Sequence, residues 1–189
     1  MRIISGKFKG KVLKEFELPT TRPTSDLVRG ALFNIIGSKI VDSTFLDLFS
    51  GTGAVGIEAL SRGAKQVYFV DSNSESINLI KKNLSLVNCR NYQIFNFDFL
   101  EALKNLSNQY IKLDIIFIDP PYLSTFAEQA LKLILKLNIL NDNGLIFWEH
   151  DKEKLPLLNN FKTKKYGKKF ITTLTKEDLK IFINIQNNE

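Results

Sequence analysis

The sequence predicts an α/β protein built on a doubly wound, mostly parallel sheet of seven strands. Three observations carry this prediction. Apolar runs of strand length alternate with amphipathic helical segments along most of the chain. Residues 115–118 form a β-branched, wholly apolar run that leads into an acid and two prolines, which cannot continue a hydrogen-bonded ladder. Residues 44–48 lead into a glycine-rich turn and a helix, as in a parallel βα unit.

The predicted elements follow one another in chain order. Residues 2–5 and 11–16 form the two strands of a basic β-hairpin, with glycines at both ends of its tip. A helix begins at Thr24 or Ser25 and ends before Gly37. Further strands are predicted at residues 44–48, 66–70, 92–97, 115–118 and 145–149, and helices at 54–60, 74–87, 99–106 and 125–137. Two last strands, at about residues 162–166 and 179–185, close the sheet as an antiparallel hairpin.

Length and composition predict one domain of 189 residues, with 44% hydrophobic residues for its core. We expect residues 1–37 to form an N-terminal extension on the substrate side of a main domain at 38–189, the two making one structural unit. A single cysteine, Cys89, excludes a disulfide framework and a cysteine metal cluster. With no apolar run near 20 residues and no signal-peptide pattern, we expect a soluble cytoplasmic protein with no membrane partner.

The net charge of +6 is concentrated at the two ends of the chain. Residues 1–30 and residues 159–189 each carry seven Lys and Arg against three acids, while the middle is slightly acidic. Such a distribution is typical of a surface that binds a polyanion, although a solubility role is an equal alternative. In the hairpin, cations surround Phe8, which suits phosphate contact with base stacking; packing of Phe8 onto the protein is the open alternative.

Polar residues near the first long helix suggest a second anion site. Arg22 precedes the helix, and Arg29 shares a helix face with Ser25 and Asp26. A helix N-terminus with such groups can hold a phosphate or the polar end of a cofactor. A surface pair between Asp26 and Arg29 is the alternative.

The glycine-rich turn matches the dinucleotide pattern G-x-G-x-x-G at residues 51–56, with Asp71 twenty residues after Gly51. Asp47 ends the preceding strand and is a poor neighbour for a pyrophosphate, so we favour a cofactor with an amino-acid end, S-adenosylmethionine. Asp47 then meets its ammonium, Asp71 accepts from both ribose hydroxyls, and Asp98 accepts from the adenine amine. We place Glu58 on the polar face of the helix that follows the turn. For His150 we favour a position at the surface, and a position facing the active cleft is the open alternative.

Several segments together carry a family resemblance: RIISGKFKGKVL, RPTSDLVRGALFN, LDLFSGTGAVGIEALSRGA and DPPY. Over residues 2 to about 150 the chain resembles the RsmD-type 16S ribosomal RNA guanine-N2 methyltransferases, which are class I, Rossmann-like enzymes. The family usually has Arg and Glu where this chain has Leu27 and Gly30. The resemblance implies methyl transfer from S-adenosylmethionine to the N2 of one guanine, conventionally nucleotide 966, in 16S rRNA. The partner is then the 30S subunit or its assembly intermediate. We expect a monomer.

The resemblance, the chemistry of the guanine amine and the placement of the cations together predict roles for individual residues. Asp119 and the Pro120 carbonyl accept the two N–H bonds of the guanine amine, Tyr122 stacks on the base, and no metal is required. The catalytic loop comprises Asp119, Pro120, Pro121 and Tyr122. The cofactor contacts are Asp47, Phe49, Ser50, Gly51, Gly53, Asp71, Ser72, Asp98 and Phe99. The nucleic-acid contacts are Arg2, Lys7, Phe8, Lys9, Lys11, Arg22, Thr24 and Arg29.

Two other function classes stay open. A DNA amino-methyltransferase uses the same loop on adenine N6 or cytosine N4, but this chain has no evident target-recognition domain. A nicotinamide-dependent oxidoreductase, or a non-catalytic nucleotide-binding protein, would share the glycine-rich turn, but Asp47 and the D-P-P-Y segment argue against it.

Overall fold

The computed structural model describes residues 1–16, 26–121, 124–154 and 158–187. Its strands are β1 (Thr44–Leu48), β2 (Gln66–Val70), β3 (Tyr92–Phe95), β4 (Leu113–Ile118), β5 (Leu140–His150), β6 (Lys162–Tyr166) and β7 (Lys169–Thr175). Its α-helices are α1 (Asp26–Ile36), α2 (Ala54–Ser61), α3 (Ser74–Leu84), α4 (Phe99–Asn108), α5 (Phe126–Leu137) and α6 (Lys176–Asn187). In these described parts of the chain, no helix is long and apolar enough to span a membrane.

All seven strands join one sheet in the order β3-β2-β1-β4-β5-β7-β6. The first five in this order are parallel, and β7 runs antiparallel to both β5 and β6. The predicted α/β class and the mostly parallel, doubly wound sheet are therefore confirmed. The strand order reverses at β1 and β4, and ligands of such sheets bind at the carboxyl ends of the strands on either side of that point.

The core forms two apolar layers, one on each face of the sheet. Because side chains alternate along a strand, Phe117 faces the layer under α1, α2 and α3, whereas Ile116 and Ile118 face the layer under α4, α5 and α6. The same alternation separates Phe147 from Ile146 on β5. For a polar residue at the carboxyl end of a strand, its position in this alternation determines on which face of the sheet its side chain lies.

The N-terminal hairpin differs from the prediction in two ways. Instead of two strands, it contains a single antiparallel bridge between Arg2 and Val12, supported by the Ile3 N–H donating to the Lys11 carbonyl at 3.0 Å. Its tip is also not free, because Phe8 joins Ile3 and Leu13 in the core layer under α1 to α3. The division of the chain at residue 37 stays a prediction. The predicted start of α1, at Thr24 or Ser25, lies outside the described residues.

The prediction for the C-terminal region was wrong in one element. The strand that pairs with β6 is β7, and residues 179–185 lie within α6. Leu179 and Phe182 are buried at a spacing of three residues while Ile181 is 46% exposed, which is a helical pattern rather than the alternation of a strand. Thr175 caps the helix, since its Oγ1 accepts the Asp178 N–H at 3.1 Å.

Candidate active site

The turn between β1 and α2 is held rigidly by its own polar groups. Ser50 Oγ donates to the Asp47 carbonyl at 2.7 Å and accepts the Val70 N–H at 2.9 Å, which ties the turn to the end of β2. Gly53 has a φ of +77°, and a side chain there would also meet Ile80 at 3.0 Å. The turn therefore places half-buried backbone, at Phe49 and Gly51, at the carboxyl edge, where the methionyl end of a cofactor can lie.

Asp47 lies beneath this turn. Its Oδ2 accepts the Gly56 N–H at 2.8 Å in the first turn of α2, and the residue is only 1% exposed. Burial raises the pKa of Asp47 to about 7, the hydrogen bond from Gly56 opposes the rise, and the carboxylates of Asp119 and Asp71 add to it. Asp47 thus points towards the turn as expected, and its contact with a cofactor ammonium stays a prediction.

Asp71, at the end of β2, is bonded to the glycine-rich turn. Its Oδ2 accepts the Gly51 N–H and its Oδ1 accepts the Asn73 N–H, both at 2.8 Å. Each carboxylate oxygen has a second lone pair, so Asp71 can still accept from ribose hydroxyls. Ser72 follows it as an exposed residue. The cofactor role of both residues stays a prediction.

The third strand end contributes a helix cap and part of an aromatic cluster. Asp98 Oδ1 accepts the N–H groups of Leu100 and Glu101 at 2.8 and 2.9 Å, so this oxygen caps α4. The ring of Phe99 lies 5.3 Å from that of Phe49 and 5.1 Å from that of Phe126. Sequence reasoning did not select Phe126, which completes an apolar surface suited to a purine ring.

The catalytic segment predicted from the sequence lines a cleft at the end of β4. Asp119 and Pro120 are partly buried and Pro121 is exposed. Tyr122 lies outside the described residues. The cleft is lined by Asp119, Pro120, Pro121, Ser124, Trp148, Glu149, His150, Asp151, Lys154 and Lys169.

Three further charged residues share the face of Asp119. The parallel pair Ile118 and Trp148 places Asp119 and Glu149 next to each other at the ends of β4 and β5. Lys169 at the start of β7 brings its Nζ within 3.9 Å of Glu149 Oε1 and 3.3 Å of Asp151 Oδ2. With Lys154, which also lines the cleft, the charged lining comprises three carboxyl groups and two ammonium groups.

Two residues of this group, Glu149 and Lys169, have shifted pKa values. Burial raises the pKa of Glu149 to about 9, Asp119 adds to the rise, and Lys169 opposes it. For Lys169, burial lowers the pKa, but Asp119, Glu149 and Asp151 together outweigh burial and raise it. Such shifts in a cleft are typical of functional sites.

His150 does not lie at the surface, the position that the sequence favours, but takes the alternative position facing the cleft. It is 4% exposed in the wall of the cleft, and its Nε2 lies 2.8 Å from Thr172 Oγ1. Burial lowers the pKa of the ring, so we treat it as a neutral structural group.

Two of the predicted nucleic-acid contacts are buried in the protein. Arg29 is fully buried, and its Nη2 donates to Asp26 Oδ1 at 2.9 Å and to the Arg2 carbonyl. Phe8 is 7% exposed, and its N–H donates to Ser61 Oγ at 2.9 Å. Neither side chain can reach a nucleic acid without unpacking, because the first is an internal ion-pair partner and the second belongs to the core.

For the other residues predicted to contact nucleic acid, that role stays a prediction. Arg2, Lys7, Lys9 and Lys11 are exposed. The hairpin tip packs against Ser61 at the C-terminal end of the eight-residue helix α2, so it lies about 12 Å from the glycine-rich turn at the other end of that helix. Arg22 and Thr24 lie outside the described residues.

Sequence reasoning missed Glu149, Asp151 and Lys169 as site residues. The argument that singled out Asp119 applies equally to Glu149, because both end a buried strand at the carboxyl edge. Lys169 gave no such signal, since its strand was assigned to the wrong residues.

The comparisons with known proteins agree with this geometry. The profile of the family described as "Conserved hypothetical protein 95" matches residues 1–175. "Ribosomal RNA small subunit methyltransferase D" of Haemophilus influenzae is 40% identical over 160 residues, covering 84% of this chain and 82% of the relative. "Putative rRNA methyltransferase YlbH" of Bacillus subtilis is 39% identical over 154 residues, covering 81% of this chain and 84% of the relative.

The solved structure of a putative methyltransferase from Escherichia coli superimposes with a TM-score of 0.78 at 27% identity, covering 94% of this chain and 98% of that one. The resemblance found in the sequence and the class I methyltransferase fold are confirmed.

Proposed function

The chain belongs to the family of conserved hypothetical protein 95, and we propose that it transfers a methyl group from S-adenosylmethionine to the N2 of a guanine in 16S rRNA. One observation carries the proposal. The Asp119-Pro120-Pro121 segment leaves the end of β4 in a cleft, next to the glycine-rich turn that follows the neighbouring strand β1. The names of both relatives support ribosomal RNA as the substrate, and the name of the Haemophilus influenzae relative supports the small subunit.

The residues present fit the cofactor. Backbone of the turn at residues 50–53 suits the methionyl end, the Asp71 carboxylate suits the ribose hydroxyls, and the rings of Phe49, Phe99 and Phe126 suit the adenine. When bound, S-adenosylmethionine supplies the electrophilic methyl group on its sulfonium.

The protein's own task is to activate and hold the amine. The lone pair of the guanine N2 is conjugated with the ring and is a poor nucleophile. Asp119 and the Pro120 carbonyl accept its two N–H bonds, which favours a pyramidal nitrogen with its lone pair directed at the methyl group. The prolines restrict the backbone that carries these acceptors, so they are preorganised for the positive charge that develops on the nitrogen. The base must leave its stack to enter the cleft, where Tyr122 stacks on it.

Exposed lysines beside the cleft support an RNA partner. Because β7 runs antiparallel to β5, the turn between β6 and β7 lies at the carboxyl edge, where Lys165 and Lys168 are exposed. Cations at this position can hold the phosphates that flank the target nucleotide. The N-terminal cations Arg2, Lys7, Lys9 and Lys11 extend the basic surface away from the cleft. We propose a monomer that acts in the cytoplasm on the 30S subunit or its assembly intermediate.

The test uses radiolabelled S-adenosylmethionine with three substrates. These are 30S particles from a strain that lacks the equivalent enzyme, naked 16S RNA, and duplex DNA. We expect label in the particle or the RNA, mapped by mass spectrometry to N2-methylguanine at one nucleotide. Label in DNA, or in adenine or cytosine, contradicts the proposed substrate, and an absence of label with all three contradicts the proposed activity.

A further inference from the structure

We propose that Glu149 selects guanine by accepting the N1–H that lies beside the N2 amine of the bound base. The inference rests on the proposed function and deepens it, because it assigns base recognition to a residue outside the D-P-P-Y segment.

The placement of Glu149 beside Asp119 supports this role. Both residues follow the parallel pair Ile118 and Trp148, so their side chains leave the same face of neighbouring strands, which lie about 4.8 Å apart. Both line the same cleft. When Asp119 holds the amine, the carboxyl group of Glu149 therefore lies next to the amine, on its β5 side.

Glu149 also has an unused acceptor. It is 3% exposed, and among the described residues no group donates a hydrogen bond to its Oε2. A buried acceptor without a donor is destabilising, so its presence in a cleft points to a donor that the ligand brings. On the other side, Lys169 lies 3.9 Å from Oε1 and 3.3 Å from Asp151 Oδ2, which holds Glu149 against the end of β7.

The hydrogen-bonding pattern of the bases makes an acceptor at this point selective. In guanine the ring nitrogen beside the exocyclic amine carries a hydrogen. In adenine and cytosine the corresponding nitrogen is an acceptor, and a carboxylate facing it would repel it. In the free protein the pKa of about 9 keeps Glu149 protonated near neutral pH. When guanine binds, its N1–H and the ammonium of Lys169 favour the ionised carboxylate, which can only accept, so Glu149 releases its proton to solvent on binding. Glu149 would thus reject the two other bases whose amines a D-P-P-Y segment can hold.

The test compares guanine with 2,6-diaminopurine at the target nucleotide of 16S RNA. The analogue keeps the N2 amine but has an acceptor at N1. We expect the protein to methylate guanine at least ~100-fold more efficiently in kcat/KM. In Glu149→Gln the amide can either accept or donate, so this preference is expected to fall at least ~10-fold while S-adenosylmethionine binding is retained.

Glu128→Gln is the matched control. Glu128 is also a buried carboxyl group paired with a lysine and with an unpartnered Oε2 among the described residues, but it does not line the cleft. It should leave the preference unchanged.

The outcomes separate the inference from the function on which it rests. Methylation of guanine with a preference unchanged in Glu149→Gln overturns the inference and leaves the proposed function standing. If Glu149→Gln methylates neither base, the preference is measured as the ratio of the dissociation constants of the two RNAs. A fall of this ratio by at least ~10-fold supports the inference, and an unchanged ratio overturns it. Failure of the unmodified protein to methylate guanine overturns the proposed function itself.

Discussion

Glu58 accepts the backbone N–H of Ile4 through its Oε2 at 2.7 Å, across 54 residues of sequence. Its Oε1 accepts the Ser5 N–H at 2.9 Å and the Nε–H of Arg62 at 2.7 Å. The sequence predicts Glu58 on the polar face of its helix, and this prediction is wrong, because the residue is fully buried. One carboxylate thus joins the N-terminal hairpin to α2.

Glu58→Ala is expected to lower the free energy of unfolding by about 3 kcal/mol. The change leaves buried N–H groups without acceptors and leaves Arg29, whose Nε lies 3.9 Å from Glu58 Oε2, without a nearby buried acid. Urea denaturation followed by circular dichroism measures the loss. Glu101→Ala, on the exposed surface of α4, is the control, and equal stability of the two variants would contradict the assignment.

Asp119→Ala should lower turnover by at least ~100-fold and leave the dissociation constant of S-adenosylmethionine within about twofold. The acceptor for the amine is lost, whereas the glycine-rich turn is untouched. Methyl transfer to 30S particles and calorimetric titration of the cofactor provide the two readouts. Asp142→Ala, at an exposed position on β5, is the control, and unchanged turnover in Asp119→Ala would exclude a catalytic role.

Asp71→Asn is expected to weaken S-adenosylmethionine binding about tenfold or more. The amide cannot accept at both of its ends, so one of the bonds from Gly51 and Asn73 is lost together with acceptors for the ribose. Calorimetric titration measures the dissociation constant, with Asp142→Asn as the control. An unchanged constant would remove Asp71 from the cofactor site.

Glu149→Gln should change how stability depends on pH. The pKa of Glu149 rises from 4.5 to about 9 because of burial and of Asp119. Between these values the folded protein keeps a proton that the unfolded chain has lost, so Glu149 makes the free energy of unfolding fall as pH rises from about 4.5 to 9. The variant lacks this contribution and should exceed the parent protein in stability at pH ~8, with the advantage shrinking towards pH ~5. Urea titrations across this range measure it, and parallel stability curves for the two proteins would refute it.

Two glycines are expected to respond oppositely to alanine. A Cβ on Gly56 would lie 2.3 Å from the ring of Phe69, which is fully buried and cannot move away. Gly30 lies within α1, and its Cβ would meet only Ile4 Cδ1, at 3.9 Å. Gly56→Ala should therefore destabilise the protein by at least ~2 kcal/mol, whereas Gly30→Ala should stabilise it by about 0.5–1 kcal/mol. Thermal denaturation ranks the three proteins, and a stable Gly56→Ala variant would contradict the close packing.

The sequence was most informative where short-range chemistry decides structure. The apolar run before Asp119 and the two prolines after it predict the end of a strand, and this prediction needs no knowledge of the neighbouring strands. The glycine spacing at residues 51–56 likewise predicts the turn under which Asp47 lies. Near the C-terminus the spacing of the apolar residues did not distinguish a helix from a strand, because residues 179–185 are rich in β-branched side chains. The segment is the helix α6 because Leu179 and Phe182 are buried on the same side of it.

The sequence by itself determined the sheet, the glycine-rich turn and the Asp119-Pro120-Pro121 segment at the strand ends, because each depends on residues that are adjacent in the chain. Only the tertiary structure decided which charges serve the site. It buried Arg29 and Phe8, which their places in the first helix and the hairpin had assigned to nucleic acid, and it brought Lys169 to Glu149 beside Asp119. The reason is physical: hydrogen bonds and ion pairs between distant segments depend on strand order and register, and no local pattern of residue types encodes those.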